Sequence, residues 1–77
     1  MAKVIRNNEE FLTYLISLNP DEGIKIRLKD KEIIITKPDV KYCILIKNKI
    51  RDYKYTSNPE EIIKILDLKF PIKIVFY

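Results

Sequence analysis

Arg51, Tyr53 and Tyr55 recur at every second position, and so do Lys25, Arg27 and Lys29. Residues two apart share one face of a β-strand. Cations neutralise phosphates and tyrosine rings stack on unpaired bases. An open sheet presenting both therefore suits single-stranded nucleic acid. Lys73 joins this surface, with Tyr77, if strand register permits. The expected nucleic-acid-binding set is Lys25, Arg27, Lys29, Arg51, Tyr53, Tyr55 and Lys73. Register is the open point, because a slip of one residue moves every side chain to the other face. The narrowly preferred register packs Tyr53 and Tyr55 on the core and leaves Asp52 and Lys54 outside.

Other chemistries are restricted by what is missing. The chain has no histidine, one cysteine and one glycine. Ser–His and Cys–His nucleophile pairs are excluded, as are a zinc site and a glycine-rich phosphate loop. No cofactor is expected. Acid–base work would fall to carboxylates, lysine or tyrosine. Within "PDVKYCILIKNKIRDYK", Pro38-Asp39 precedes one strand and Asp52-Tyr53-Lys54 lies on the next. This spacing resembles the signature of the PD-(D/E)xK nucleases. The resemblance implies Asp39 and Asp52 as ligands of a divalent metal and Lys54 as a helper in activating water. Glu9 or Glu10 would be the assisting first-helix carboxylate. The match is short, in a chain rich in Asp and Lys, and a charged D-x-K on an edge strand is commonly a solvated face. A catalytic role is thus the alternative to a binding role, and the chain is read as leaning away from an enzyme.

Composition bounds the rest. The 77 residues make one domain, spanning 1–77. A chain this short buries only about 60% of its unfolded surface. Net charge is +4, a mild bias toward anionic partners. Few Gly, no Gln and many Lys and Glu fit a thermophilic source, although an AT-rich genome yields a similar bias. Cys43 lies in the apolar run "YCILI" and reads as a small core residue. An unpaired cysteine fits a reducing, cytoplasmic compartment. "MAKVIRNNEE" lacks the apolar core of a secretory signal. No apolar run approaches the roughly 18 residues of a membrane span, so no membrane association is expected. A protein partner is the second binding class, as for a small regulator encoded by a mobile element.

The elements follow from periodicity. Lys3–Arg6 reads as a short, uncertain first strand. Asn7 caps a helix, and Glu10 completes an N-x-x-E box before Phe11, Leu12, Leu15 and Leu18. Gly23, the sole glycine, suggests a positive-φ position. Ile24–Leu28 alternates as a half-wet strand, and Ile33–Thr36 completes a hairpin. Val40–Ile46 is apolar at every position but Lys41, and so reads as a central strand covered on both faces. Ile50–Thr56 alternates again. Asn58, Pro59 and Glu61 open a second helix with Ile62, Ile63, Ile65 and Leu66 as its buried stripe. "IKIVFY" is the last strand; a homodimer is expected through an edge strand, and this one invites that pairing if it lies at an edge. The order β-α-β-β-β-β-α-β predicts an α+β fold, a mostly antiparallel sheet of four to six strands with two helices on one face. The likeness of "NNEEFLTYL" to "NPEEIIKIL" has local causes, since Asn caps helices and Glu suits their N-termini.

Overall fold

A computed structural model of the chain, describing residues 2–77, contains six strands and two helices. They are β1 (Ala2–Ile5), α1 (Asn8–Ile16), β2 (Gly23–Arg27), β3 (Glu32–Thr36), β4 (Tyr42–Lys47), β5 (Arg51–Thr56), α2 (Pro59–Leu66) and β6 (Ile72–Phe76). This is the α+β order read from the sequence, first strand included. The strands form one open sheet in the order β1-β6-β2-β3-β4-β5, and every neighbouring pair is antiparallel. It follows that β1 and β2 run parallel with β6 between them, so β1-α1-β2 is a split crossover. The α2 crossover carries the chain from one end of the sheet back past β4, β3 and β2 to β6.

β6 is therefore an interior strand, so the condition for pairing through "IKIVFY" is not met. The edges are β1 and β5. The antiparallel β6–β2 pairing sets Ile74 opposite Ile26 and Phe76 opposite Ile24. Two Ile-rich strands bury more apolar surface side by side in the middle than at a rim.

One phase of each strand faces the helices. Ile5, Ile24, Ile26, Ile33, Ile35, Ile44, Ile72 and Ile74 are buried there with Phe11, Leu15, Ile62 and Leu66 of the helices. Of the predicted second stripe, Ile62 and Leu66 are buried, Ile63 is half-buried and Ile65 is exposed. An eight-residue helix at a sheet's rim needs only a narrow buried face.

Both helix starts are capped by the expected asparagines, in two different ways. Asn7 Oδ1 accepts from the Glu10 amide (2.9 Å), and Glu10 Oε1 accepts from the Arg6 amide (2.8 Å). Asn58 Oδ1 accepts from the Glu60 amide (3.0 Å). Glu61 closes its box through a relay: the Asn58 amide donates to Thr56 Oγ1 (3.1 Å), which donates to Glu61 Oε2 (2.9 Å). At its other end α1 is held by Tyr42, whose buried hydroxyl donates to the Leu15 carbonyl at 2.7 Å. Among the described residues the left-handed one is Asp67 (φ 45°), at the C-cap of α2. Gly23 is not in that conformation.

Candidate nucleic-acid interface

The second phase of every strand faces away from the helices, and among the described residues no helix or strand covers it. Cross-strand pairing fixes its contents as three rows. The first runs Ala2, Val75, Lys25, Ile34, Leu45, Tyr53. The second runs Gly23, Thr36, Cys43, Tyr55, with Tyr77 opposite Gly23 through two backbone hydrogen bonds of 2.9 and 3.1 Å. The third runs Arg27, Glu32, Lys47, Arg51, while Lys73 opposes Val4 on the same face.

Two expectations are corrected by this register. Tyr53 and Tyr55 do not pack on the core; they stand on the open face, 52% and 67% exposed. Asp52 and Lys54 point to the helix side, opposite Ile46 and Ile44. Thr56 sets the phase. It pairs with buried Tyr42, and its hydroxyl anchors the start of α2, so it must face inward and carries Lys54 and Asp52 with it. Likewise β4 is covered on one face only: Tyr42 and Ile44 are buried, whereas Cys43 and Leu45 are half-exposed on the open side. Cys43 is thus not a core residue.

The open face concentrates charge. Lys25, Arg27, Lys47, Arg51 and Lys73 project from it, against the single carboxylate Glu32. The excess of five over one equals the formal net charge of the whole chain, +4. The remaining ten cations and ten carboxylates cancel. Lys29 lies beyond the end of β2, exposed in the turn to β3, and so is a rim charge instead of a third member of the Lys25–Arg27 stripe.

Glu32 organises the third row. Its carboxylate takes Arg27 Nε at 3.0 Å and Lys47 Nζ at 3.6 Å. Desolvation opposes its charge, but the Arg27 hydrogen bond and the charges of Lys25, Lys47 and Arg27 outweigh it and hold the carboxyl below its usual range. Tyr55 is pushed upward, first by the Cys43 thiol beside it and then by desolvation. Tyr77 is pushed upward chiefly by desolvation, with Glu32 adding to it.

Tyr77 explains the glycine. A Cβ at Gly23 would sit 2.5 Å from Tyr77 Cζ and 2.8 Å from its hydroxyl oxygen. The hydroxyl end of the ring lies against the glycine, and Lys25 Nζ stands 5.4 Å from the ring centroid, a cation–π contact. The residue is needed for close approach, not for a positive φ.

The nuclease constellation is not assembled. Asp39 lies in the β3–β4 loop, ahead of Tyr42, while Asp52 pairs with Ile46 toward the far end of β4. Four residues of strand, about 13 Å, separate those levels, too far for one metal ion. Lys54 pairs with Asp52 instead, at 3.5 Å. Glu9 is exposed on the first turn of α1. Among the described residues no cluster of three or more His, Cys, Asp or Glu side chains is placed to hold a metal ion. No pocket opens among them either, and no helix is long and apolar enough to cross a membrane.

Lys47, Ile34 and Leu45 complete the face but are absent from the set read from the sequence, whereas Tyr77 is read there as joining it with Lys73. Lys47 had a legible signal, being two and four residues from Leu45 and Cys43 on the same strand. No family model, curated protein or solved structure matches the chain.

Proposed function

We propose that the open sheet face binds single-stranded nucleic acid. The observation that carries this reading is the coincidence of the chain's entire net charge with Tyr53, Tyr55 and Tyr77 on one uncovered surface. Cations spread over four strands track a phosphate backbone, and exposed rings between them stack on bases that a duplex keeps hidden. The flat, pocket-free geometry suits a polymer better than a small molecule. Binding is sequence-tolerant, because every base has a π-face.

A second reading has its own observation. Ile34 and Leu45 stand side by side, half-buried, in the middle of the same face, with Val75 beyond Lys25 in the same row, apolar surface of the kind that marks a protein contact. A small regulator docking sheet-first on a protein would use it.

Titration of labelled single-stranded and duplex oligonucleotides separates the two. Wild type is expected to prefer the single strand, and Tyr53→Ala with Tyr55→Ala to remove that preference, since stacking contributes about 1–3 kcal/mol per base. A wild type that binds neither oligonucleotide at low salt leaves the protein contact as the surviving reading.

A further inference from the structure

β5 closes the sheet, and among the described residues no strand pairs with its outer edge. An edge of unpaired amides and carbonyls is a template for another strand, and charges on such an edge decide which strand it accepts. The residues of β5 read Arg51-Asp52-Tyr53-Lys54-Tyr55-Thr56. Two copies of this strand are complementary to each other in one antiparallel register.

We propose that the protein pairs with a second copy of itself through β5, with Tyr53 opposite Tyr53 of the second copy on the dyad. This register sets Asp52 against Lys54 of the other copy twice, on the helix side, where both side chains are exposed now (57% and 43%). On the open side it sets Arg51 against Tyr55 twice, a cation over an aromatic ring. Inward-facing residues must oppose inward-facing residues, so permitted slips come in steps of two. A slip one way puts Asp52 opposite Asp52; a slip the other way puts Lys54 opposite Lys54. Both bring like charges together, which destabilises a cross-strand pair. The other edge offers no such match: β1 has four residues and a single charge, Lys3.

The dyad runs perpendicular to the sheet. Both helix layers then lie on one side, and the two open faces join into a single twelve-stranded surface. Each copy contributes Arg51, Tyr53 and Tyr55 to its centre. The pairing stands on β5 alone and does not depend on what the open face binds.

Sedimentation velocity of the whole chain, without nucleic acid, tests it. Wild type is expected to show a monomer–dimer equilibrium. Asp52→Lys and Lys54→Asp each replace two opposite-charge pairs by like-charge pairs, and are expected to weaken the dimer about tenfold or more. An equimolar mixture of the two variants restores complementarity and is expected to restore the dimer, as is the double exchange within one chain. Circular dichroism checks that each variant is folded. A wild type that stays monomeric at the highest reachable concentration overturns the proposal. So does a dimer indifferent to the single reversals, or a mixture that fails to recover.

Discussion

At the scale of single residues, the open face is built from contacts that each make a distinct demand. Gly23 exists so that the Tyr77 ring can lie against it beside Lys25. Gly23→Ala is expected to displace that ring while the fold persists, because the obstructing atoms belong to the far end of one side chain. The Tyr77 ring resonances, followed by NMR, report the displacement, and unchanged shifts would contradict it. Glu32 is the single carboxylate among five cations, and its effect on stability has a definite sign. Its carboxyl is held below the usual 4.5, so the stability it contributes is fully present above that value. It is lost as pH falls through the depressed value. Glu32→Gln is expected to remove that part of the acid sensitivity in denaturation curves taken below pH 4.5. The same change releases Arg27 and Lys47, so it should tighten binding of a nucleic-acid strand; weaker binding would count against the proposed face.

At the scale of elements, local chemistry was legible and spatial neighbours were not. Asn7 and Asn58 announce both helix starts, and in the structure both side chains accept a backbone N–H. Asn7→Ala and Asn58→Ala are each expected to lower unfolding free energy by about 1 kcal/mol, read by urea denaturation, with open-face binding unchanged. Loss of binding without loss of stability would show that these boxes are more than caps. Tyr42→Phe removes the bond to the Leu15 carbonyl and is expected to cost about 1 kcal/mol, since that carbonyl keeps its weaker 3.4 Å bond from Leu18. Period-two alternation also put Arg51, Tyr53 and Tyr55 together correctly. Which face they take was not readable from the strand itself. Asp52 and Lys54 sit on the helix side at the rim, where solvent still reaches them, so polarity alone misassigns the buried phase. The deciding contact is Thr56 to Glu61, a hydroxyl to a carboxylate five residues on, which is ordinary until the helix is in place. β4 misleads in the opposite direction: Cys43, Leu45 and Ile46 make it look doubly covered, yet Cys43 and Leu45 lie on the uncovered side.

At the scale of the whole molecule, the number and order of elements followed from punctuation and period. The strand order did not, because nothing in Ile72–Phe76 names β1 and β2 as its partners. Only the assembled sheet shows that the chain's net charge belongs to one face, a property spread over Lys25, Arg27, Lys47, Arg51 and Lys73 on four different strands. Those cations make the most direct test possible. Each phosphate contact releases condensed counterions, so the affinity of the wild-type protein for a single-stranded oligonucleotide must fall with salt. With three to five contacts, the slope of log affinity against log salt is expected between about −2 and about −3.5. Lys25→Ala combined with Arg27→Ala should make it shallower by about 1.4. A slope near zero, or one that the two substitutions leave unchanged, would contradict the claim that this face binds nucleic acid.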